Sequence, residues 1–214
     1  MTPPRSVRLV AQLVKMNVMQ TLEYRGAFVI FMVNTVISPL VALFVWLAVA
    51  DQGATLPLSR ERLVTYFLLL GVVSMLTGTW MANYVAEHIR LGGLSPWLLR
   101  PSPYIFHDVG NNIGEKVIKA PLLAPIIVLA ALLFRDDLRL PTDPAAWLGF
   151  ALSIPMAATI SFLIEFLIGL LAFWLQDILG LLRLKMLADS LLSGRLVPLA
   201  FFPPALSGAL SVQP

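Results

Sequence analysis

Four long stretches of the sequence carry almost no charge, and they constrain the fold more than any other feature. Residues 27–50 and 63–86 each give 24 positions without a charged side chain, and residues 120–134 give 15. Residues 144–176 hold one charge, Glu165, in 33 positions. A helix needs about 20 apolar residues to cross a bilayer core of about 30 Å, and these runs lack the alternation typical of barrel strands. The sequence therefore predicts an all-α polytopic membrane protein.

The overall composition agrees with this class. Charged residues make up 13% of the chain, whereas a soluble domain carries about 25%. The sequence contains no cysteine, which excludes disulfides, thiolate metal sites and cysteine nucleophiles. The net charge of +3 is modest, and in a membrane protein it reports topology rather than nucleic-acid binding.

The N-terminal segment, residues 5–25, predicts an amphipathic helix. Its apolar side chains follow the i, i+3, i+4 spacing of one face, while Arg8, Lys15 and Arg25 lie largely off that face. The apolar stripe consists of Val7, Val10, Leu13, Val14, Val18 and Leu22. Such a helix lies in the membrane interface with its apolar face in the lipid, or it extends the first span into the cytosol; we expect the interfacial position.

About five spans are expected in a single transmembrane domain that covers residues 1–214. Their approximate limits are 27–50, 63–85, 110–134, a stretch within 145–175, and 184–202. Ser193–Gly194 and Pro198 are expected to break or bend the fifth span. A re-entrant segment of this kind is tolerated where protein buries it.

Basic residues indicate the orientation of these spans. With the N-terminus inside, the inner segments 1–26, 86–119 and 176–186 hold four, four and two lysines and arginines. The outer segments 51–62 and 135–144 hold two each. Because lysine and arginine are retained on the cytoplasmic side, we predict a cytoplasmic N-terminus and a cytoplasmic loop between the second and third spans.

That loop, residues 86–108, has an unusual composition. Gly92–Gly93 allows a sharp turn, and Ser95 as N-cap with Pro96 in the first turn predicts a short helix. Arg100–Pro101 ends it, because proline disfavours helix at the residue before it. The helix would expose Trp97, Leu98, Leu99 and Arg100. These side chains suit the groove of a partner protein, or they dip into the membrane interface, where tryptophan is common.

Two sequence patterns resemble those of a known family. Arg90-x-Gly92-x-Leu94-x-x-x-Leu98-Leu99-Arg100-Pro101 resembles the cytoplasmic-loop signature of bacterial ATP-binding cassette (ABC) transporter permeases of the type-2 exporter class. Ser193-Gly194-Arg195-x-x-Pro198-Leu199-x-x-Phe202-Pro203 resembles the segment ahead of that family's last span. The amphipathic helix that leads into a first span at Arg25 also fits, so the resemblance covers nearly the whole chain.

The resemblance implies six spans, an N-terminal interfacial connecting helix and a cytoplasmic coupling helix that docks in a groove of a separate ATPase subunit. It also implies a pair of permease subunits, identical or different, in a bacterial inner membrane. ATP and Mg²⁺ would bind to the ATPase, with no cofactor in this chain. The implied coupling residues are Glu87, Arg90, Gly92, Leu94, Trp97, Leu98, Leu99, Arg100 and Pro101.

Two further features bear on this expectation. No G-x-x-x-x-G-K-[ST] sequence occurs, so the sequence has no Walker A loop to hold ATP phosphates and would not be an enzyme by itself. Residues 196–214 are uncharged but too rich in proline for an ordinary span. We therefore expect that the sequence stops before the sixth span.

Candidate pathway and gate residues lie in the last third of the chain. A carboxylate inside the bilayer is costly and often marks a pathway, so Glu165 either lines a substrate route, pairs with Arg195, or is protonated and packed. Phe201 and Phe202 either close an external gate or pack. His88 and His107 lack the further ligands of a metal site, and no catalytic residue is predicted.

Two other classes of function remain open. An ion-coupled secondary transporter would favour inverted repeats and several buried ionisable groups, of which the sequence suggests one. A membrane-embedded lipid-modifying enzyme would need clustered catalytic residues, and the sequence contains no H-E-x-x-H, G-x-S-x-G or clustered Asp-x-x-Asp pattern.

Overall fold

The computed structural model describes residues 5–23, 25–100, 102–203 and 208. These residues form helices and connecting turns without any strand, which confirms the all-α prediction. The helices are α1 (Arg5–Glu23), α2 (Arg25–Asp51), α3 (Arg60–Thr77), α4 (Met81–Arg90), α5 (Ser95–Leu98), α6 (Ile105–Leu133), α7 (Pro144–Leu170) and α8 (Leu179–Leu192), with 3-10 turns at Leu171–Phe173 and Leu199–Phe201.

Three helical stretches in the described part of the chain are long and apolar enough to cross a membrane. They are residues 60–90, 105–133 and 144–173, and a shorter apolar stretch covers 37–51 within α2. Each contains most or all of one of the uncharged runs, and a helix satisfies the backbone polar groups of such a run within itself. The prediction of a multi-pass membrane protein is therefore confirmed.

The bundle has two ends. At one of them, the 52–59 and 134–143 connections meet: Arg60 Nε lies 3.0 Å from Asp137 Oδ2, and Arg139 donates to Glu61. At the other, which we call the loop end, α4 turns into residues 91–104 and contacts the turn that follows α7. The exposed ion pairs formed by Arg60 and Arg139 contribute little stability, about 0–1 kcal/mol each. Packing of apolar side chains therefore holds the bundle together.

Two separate apolar clusters form the main cores. The first core joins α2, α3 and α6, and its buried members include Leu43, Leu63, Phe67 and Ala130. The second core joins α4, α7 and α8 through Ala82, Ala86, Ile178 and Leu182, with Ile168 and Leu171 packed against them. The chain passes from the first core to the second between α3 and α4.

The N-terminal helix packs on the first half of α6. A β-carbon placed on Gly110 would lie 2.6 Å from the β-carbon of Leu13, so the two helices are in close contact. Arg8 and Lys15 are exposed and Leu13 is half-buried, as the amphipathic pattern predicts. The apolar stripe was expected to face lipid; Leu13 instead lies against α6, because glycine there leaves room for it.

The fifth predicted span is not one continuous helix. It begins five residues earlier than expected, at Leu179, and ends at Leu192. The predicted break is confirmed, since Gly194 has a φ of +76°, which favours glycine. The chain then reaches the end opposite the loop end, where the Tyr66 hydroxyl donates to the Gly194 carbonyl at 2.9 Å. The predicted sixth span lies outside the described residues.

Candidate functional site

The predicted second span is interrupted. It was expected as one helix over residues 63–85, but α3 ends at Thr77 and α4 begins at Met81. Gly78 lies at the break, and a β-carbon there would lie 2.7 Å from the Ser74 carbonyl oxygen. A side chain at this position would clash with the carbonyl of the preceding turn, so glycine lets the chain leave the helix here.

The loop after α4 turns as predicted, but the short helix begins earlier. Gly92 has a φ of +71°, a conformation that costs glycine little. Leu94, rather than Ser95, is the cap of α5, and Ser95 is the first helical residue without a side-chain capping bond. Pro101, a predicted coupling residue, lies outside the described residues.

Trp97 was expected to be exposed, and this is wrong. Its ring centroid lies 4.1 Å from that of His107 and 6.0 Å from that of Tyr104, and the side chain is half-buried. The Arg100 guanidinium lies 3.9 Å above the ring, a favourable cation–π distance. Trp97 therefore anchors the loop to the start of α6.

Leu98 and Leu99 form the exposed ridge of the loop. Their side chains are 71% and 90% exposed. Trp174, in the turn that follows α7, is 77% exposed and lines an open groove with Arg90. Apolar residues exposed together commonly mark contact with a membrane or another protein.

An aromatic cluster beneath the loop holds the two histidines. His88 Nδ1 and the Tyr104 hydroxyl lie 2.7 Å apart, and the His88 and His107 rings are 6.3 Å apart. Burial, and then the nearby Asp108 carboxylate, raise the pKa of Tyr104 well above its usual range. Through the contacts of His88 with Tyr104 and of His107 with Trp97, both histidines pack the loop against α4 and α6. The sequence did not reveal this role.

The charged coupling residues differ in their surroundings. Glu87 and Arg90 are exposed on α4 and form no ion pair with another described residue. Arg100 is exposed but stacked on Trp97. Leu94 is half-buried, and its amide donates to the His88 carbonyl at 3.2 Å. The structure thus places the predicted coupling residues that it describes together at the loop end.

Polar side chains from α6 hold the break on the α3 side. Lys116 Nζ donates to the Gly78 carbonyl at 3.2 Å, and Asn112 donates to the Thr79 hydroxyl. Trp80 Nε1 donates to Glu115 Oε1 at 2.9 Å. Backbone and side-chain polar groups at the break thus find partners, as a buried break requires.

Glu165 holds the break on the α4 side. The residue is only 5% exposed. Its Oε2 accepts a hydrogen bond from the Ala82 amide at 3.0 Å, and its Oε1 lies 2.9 Å from Lys185 Nζ. A carboxylate near a helix N-terminus is favoured by the helix dipole. Arg195 is not its partner, contrary to one of the predicted alternatives, because Lys185 on α8 occupies that position.

The other predicted gate residues lie at the opposite end of the bundle. Phe201 stacks on Trp46, with ring centroids 4.6 Å apart, and Trp46 Nε1 donates to the Leu196 carbonyl at 2.8 Å. Phe202 is half-buried and Arg195 exposed. Glu165 lies five residues before the end of α7, so about 8 Å of helix separates it from the loop end and it is not grouped with the gate candidates.

A family model described as ABC-2 family transporter protein matches residues 36–212. The chain belongs to the ABC-2 transporter family. The match contains both patterns that resembled this family in the sequence, and it covers the helices from within α2 onward. The protein is therefore a multi-pass membrane component of an ABC transporter, of the permease type. No curated protein and no solved structure matches the chain.

Proposed function

We propose that this ABC-2 family member is the permease subunit of an ATP-driven exporter and that its 87–101 loop docks on a separate ATPase subunit. The observation that carries the proposal is the exposure of Leu98 and Leu99 on a loop that Trp97 anchors from below. A rigid apolar ridge suits the groove of a partner, because little conformational entropy is lost on docking.

The loop end would face the cytoplasm of a bacterial cell, with the protein in the inner membrane. The excess of lysine and arginine in the segments at that end supports this orientation, and it places the N-terminus inside. ATP and Mg²⁺ would bind to the ATPase, since the sequence has no Walker A loop. A second permease subunit, identical or different, would complete the pathway.

Co-purification tests the proposal. The chain would be co-expressed with a candidate ATPase and captured in detergent, beside Leu98→Ala/Leu99→Ala. A matched control, Leu140→Ala/Leu148→Ala, removes two exposed leucines from the part of the bundle near the opposite end. We expect the wild type and the control to capture equal amounts of ATPase. The loop variant should capture at least about tenfold less, since truncating two anchor side chains costs about 1.4 kcal/mol or more of binding free energy.

The variants must insert equally in the membrane for this comparison. Equal capture by the loop variant and the wild type would contradict the docking role of the loop. Loss of capture by both variants would place the contact elsewhere on the surface.

One observation favours a second candidate function. The described residues bury several ionisable groups, including Glu115, Lys119 and Glu165, and ion-coupled transporters use such groups. Lys119 pairs with Glu115, and Glu165 pairs with Lys185. Transport in proteoliposomes that requires an ion gradient and proceeds without ATP would favour this alternative.

A further inference from the structure

The helix break divides the loop end from the rest of its span. α3 belongs to the first core with α2 and α6, whereas α4 belongs to the second core with α7 and α8. Helices that share a core move together, because packed interiors have little free volume. Although α3 and α4 are consecutive in the chain, α4 packs mainly on α7, whereas α3 packs on α2 and α6 and also contacts α7.

Polar contacts locate the boundary between the two groups of helices. Trp80 is bonded to Glu115 on α6 through its indole nitrogen. Ala82, two residues later, is bonded to Glu165 on α7 through its amide. The chain is thus bonded to α6 at Trp80 and to α7 at Ala82. A bend within Trp80–Ala82 would leave the Trp80–Glu115 and Ala82–Glu165 hydrogen bonds intact.

A single carboxylate joins three helices on the α4 side. One oxygen of Glu165 accepts from the Ala82 amide of α4, and the other contacts Lys185 of α8. Lys185 is held in turn by Asp189 at 2.8 Å. One turn beyond Glu165, a β-carbon on Gly169 would lie 2.6 Å from the β-carbon of Val85, so α4 and α7 are also in direct contact.

The helix that carries Lys185 leads to the opposite end of the bundle. After α8 the chain reaches Gly194, whose carbonyl is bonded to Tyr66, and Leu196, whose carbonyl is bonded to Trp46. A displacement of α4 at the loop end would thus have a route to residues 193–203 through α8 that does not pass along α3, beside the contact of the loop with α6 through Trp97 and His107.

We propose that Glu165 is a positioning residue that makes α4 move as one body with α7 and α8 about a hinge at Trp80–Ala82, and so passes movement of the 91–100 loop to residues 193–203. The role in transport rests on the function proposed above, whereas the hinge does not. The two can therefore be tested apart.

Hydrogen–deuterium exchange of the full chain in lipid nanodiscs tests the hinge without the ATPase. In Glu165→Ala we expect the amides of residues 81–90 and 179–192 to exchange at least about tenfold faster, because a buried charged hydrogen-bond partner is lost. Residues 60–77 should change by less than about twofold, since most of their buried apolar side chains, such as Leu63 and Phe67, lie in the first core.

Two further variants sharpen the result. Glu165→Gln keeps an acceptor for the Ala82 amide but offers Lys185 no negative charge, so it should restore protection of 81–90 and leave 179–192 exchanging fast. Thr159→Ala, on the same helix, removes a hydroxyl that bonds only within α7 among the described residues and should leave both segments unchanged. Equal acceleration of 60–77 and 81–90, or no change in 81–90, would overturn the hinge.

A second arm adds the ATPase and ATP. In the wild type, ATP should alter exchange in residues 193–203, and Glu165→Ala should still capture the ATPase but lose that response. An unchanged ATP response in Glu165→Ala would overturn the positioning role. If no ATPase is captured by the wild type, the proposed function fails, and the exchange of the chain alone still decides the hinge.

Discussion

The close approach of α4 and α7 at Gly169 makes a quantitative prediction. In Gly169→Ala the new β-carbon would lie 2.6 Å from the Val85 β-carbon and 3.0 Å from the Ala82 carbonyl oxygen. Carbon atoms in contact are normally about 3.5–4.0 Å apart, so the helices must separate by about 1 Å. That shift would lengthen the bond between the Ala82 amide and Glu165, now 3.0 Å, beyond hydrogen-bonding distance.

We expect Gly169→Ala to destabilise the protein by about 1–3 kcal/mol, the usual cost of overpacking a core. For a chain of this size each kcal/mol lowers Tm by about 2–4 °C. Thermal unfolding in nanodiscs, followed by tryptophan fluorescence, should therefore show Tm lower by about 2–12 °C.

Gly149→Ala is the matched control, because it makes the same substitution in the same helix with no atom within 4 Å of the new β-carbon. Alanine favours helix over glycine by about 0.5–1 kcal/mol, so the Tm of this variant should stay constant or rise. The same Tm shift in both variants would refute the close contact between α4 and α7.

Three other substitutions probe separate contacts. Trp97→Phe should keep most of the ATPase capture that Trp97→Ala loses, because a ring still packs on His107; equal capture by both would mean that the anchor is unnecessary. Gly194→Ala should lower Tm by about 2–8 °C, since an alanine in the left-handed backbone conformation and its β-carbon against the Tyr66 hydroxyl together cost about 1–2 kcal/mol. An unchanged Tm would argue against the break at this position. Gly110→Ala should accelerate exchange in residues 5–23 by displacing Leu13, while the rest of the bundle stays protected; uniform acceleration would contradict a local contact.

The membrane fold could be predicted from the sequence because its signal is local. An uncharged run such as 27–50 must satisfy its backbone groups within one helix, whatever surrounds it. The turn at Gly92 and the break at Gly194 were predicted for a similar reason, since both follow from the backbone freedom of glycine.

The break after α3 could not be predicted in the same way. Glycine is common in membrane helices, and Gly78 alone does not distinguish a close contact from an interruption. The interruption is stabilised by Lys116 and Glu165, which lie 38 and 87 residues further along the chain. Only the folded arrangement brings them to the free backbone groups of Gly78 and Ala82.

The orientation of individual side chains was also beyond the sequence. The sequence predicted that Trp97, Leu98 and Leu99 are all exposed, yet the ring of Trp97 packs on His107 of α6. From the sequence, Arg195 was the one basic partner considered for Glu165; Lys185 takes that place because of the face of α8 that meets α7.

Site-specific cross-linking from the loop tests the central claim most directly. The sequence contains no cysteine, so a single Leu99→Cys can carry a thiol-reactive photo-cross-linker in membranes that also contain the ATPase. The account predicts a cross-linked product of permease and ATPase from Leu99→Cys, and none from Leu140→Cys near the opposite end. Cross-linking from Leu140→Cys and none from Leu99→Cys would contradict it.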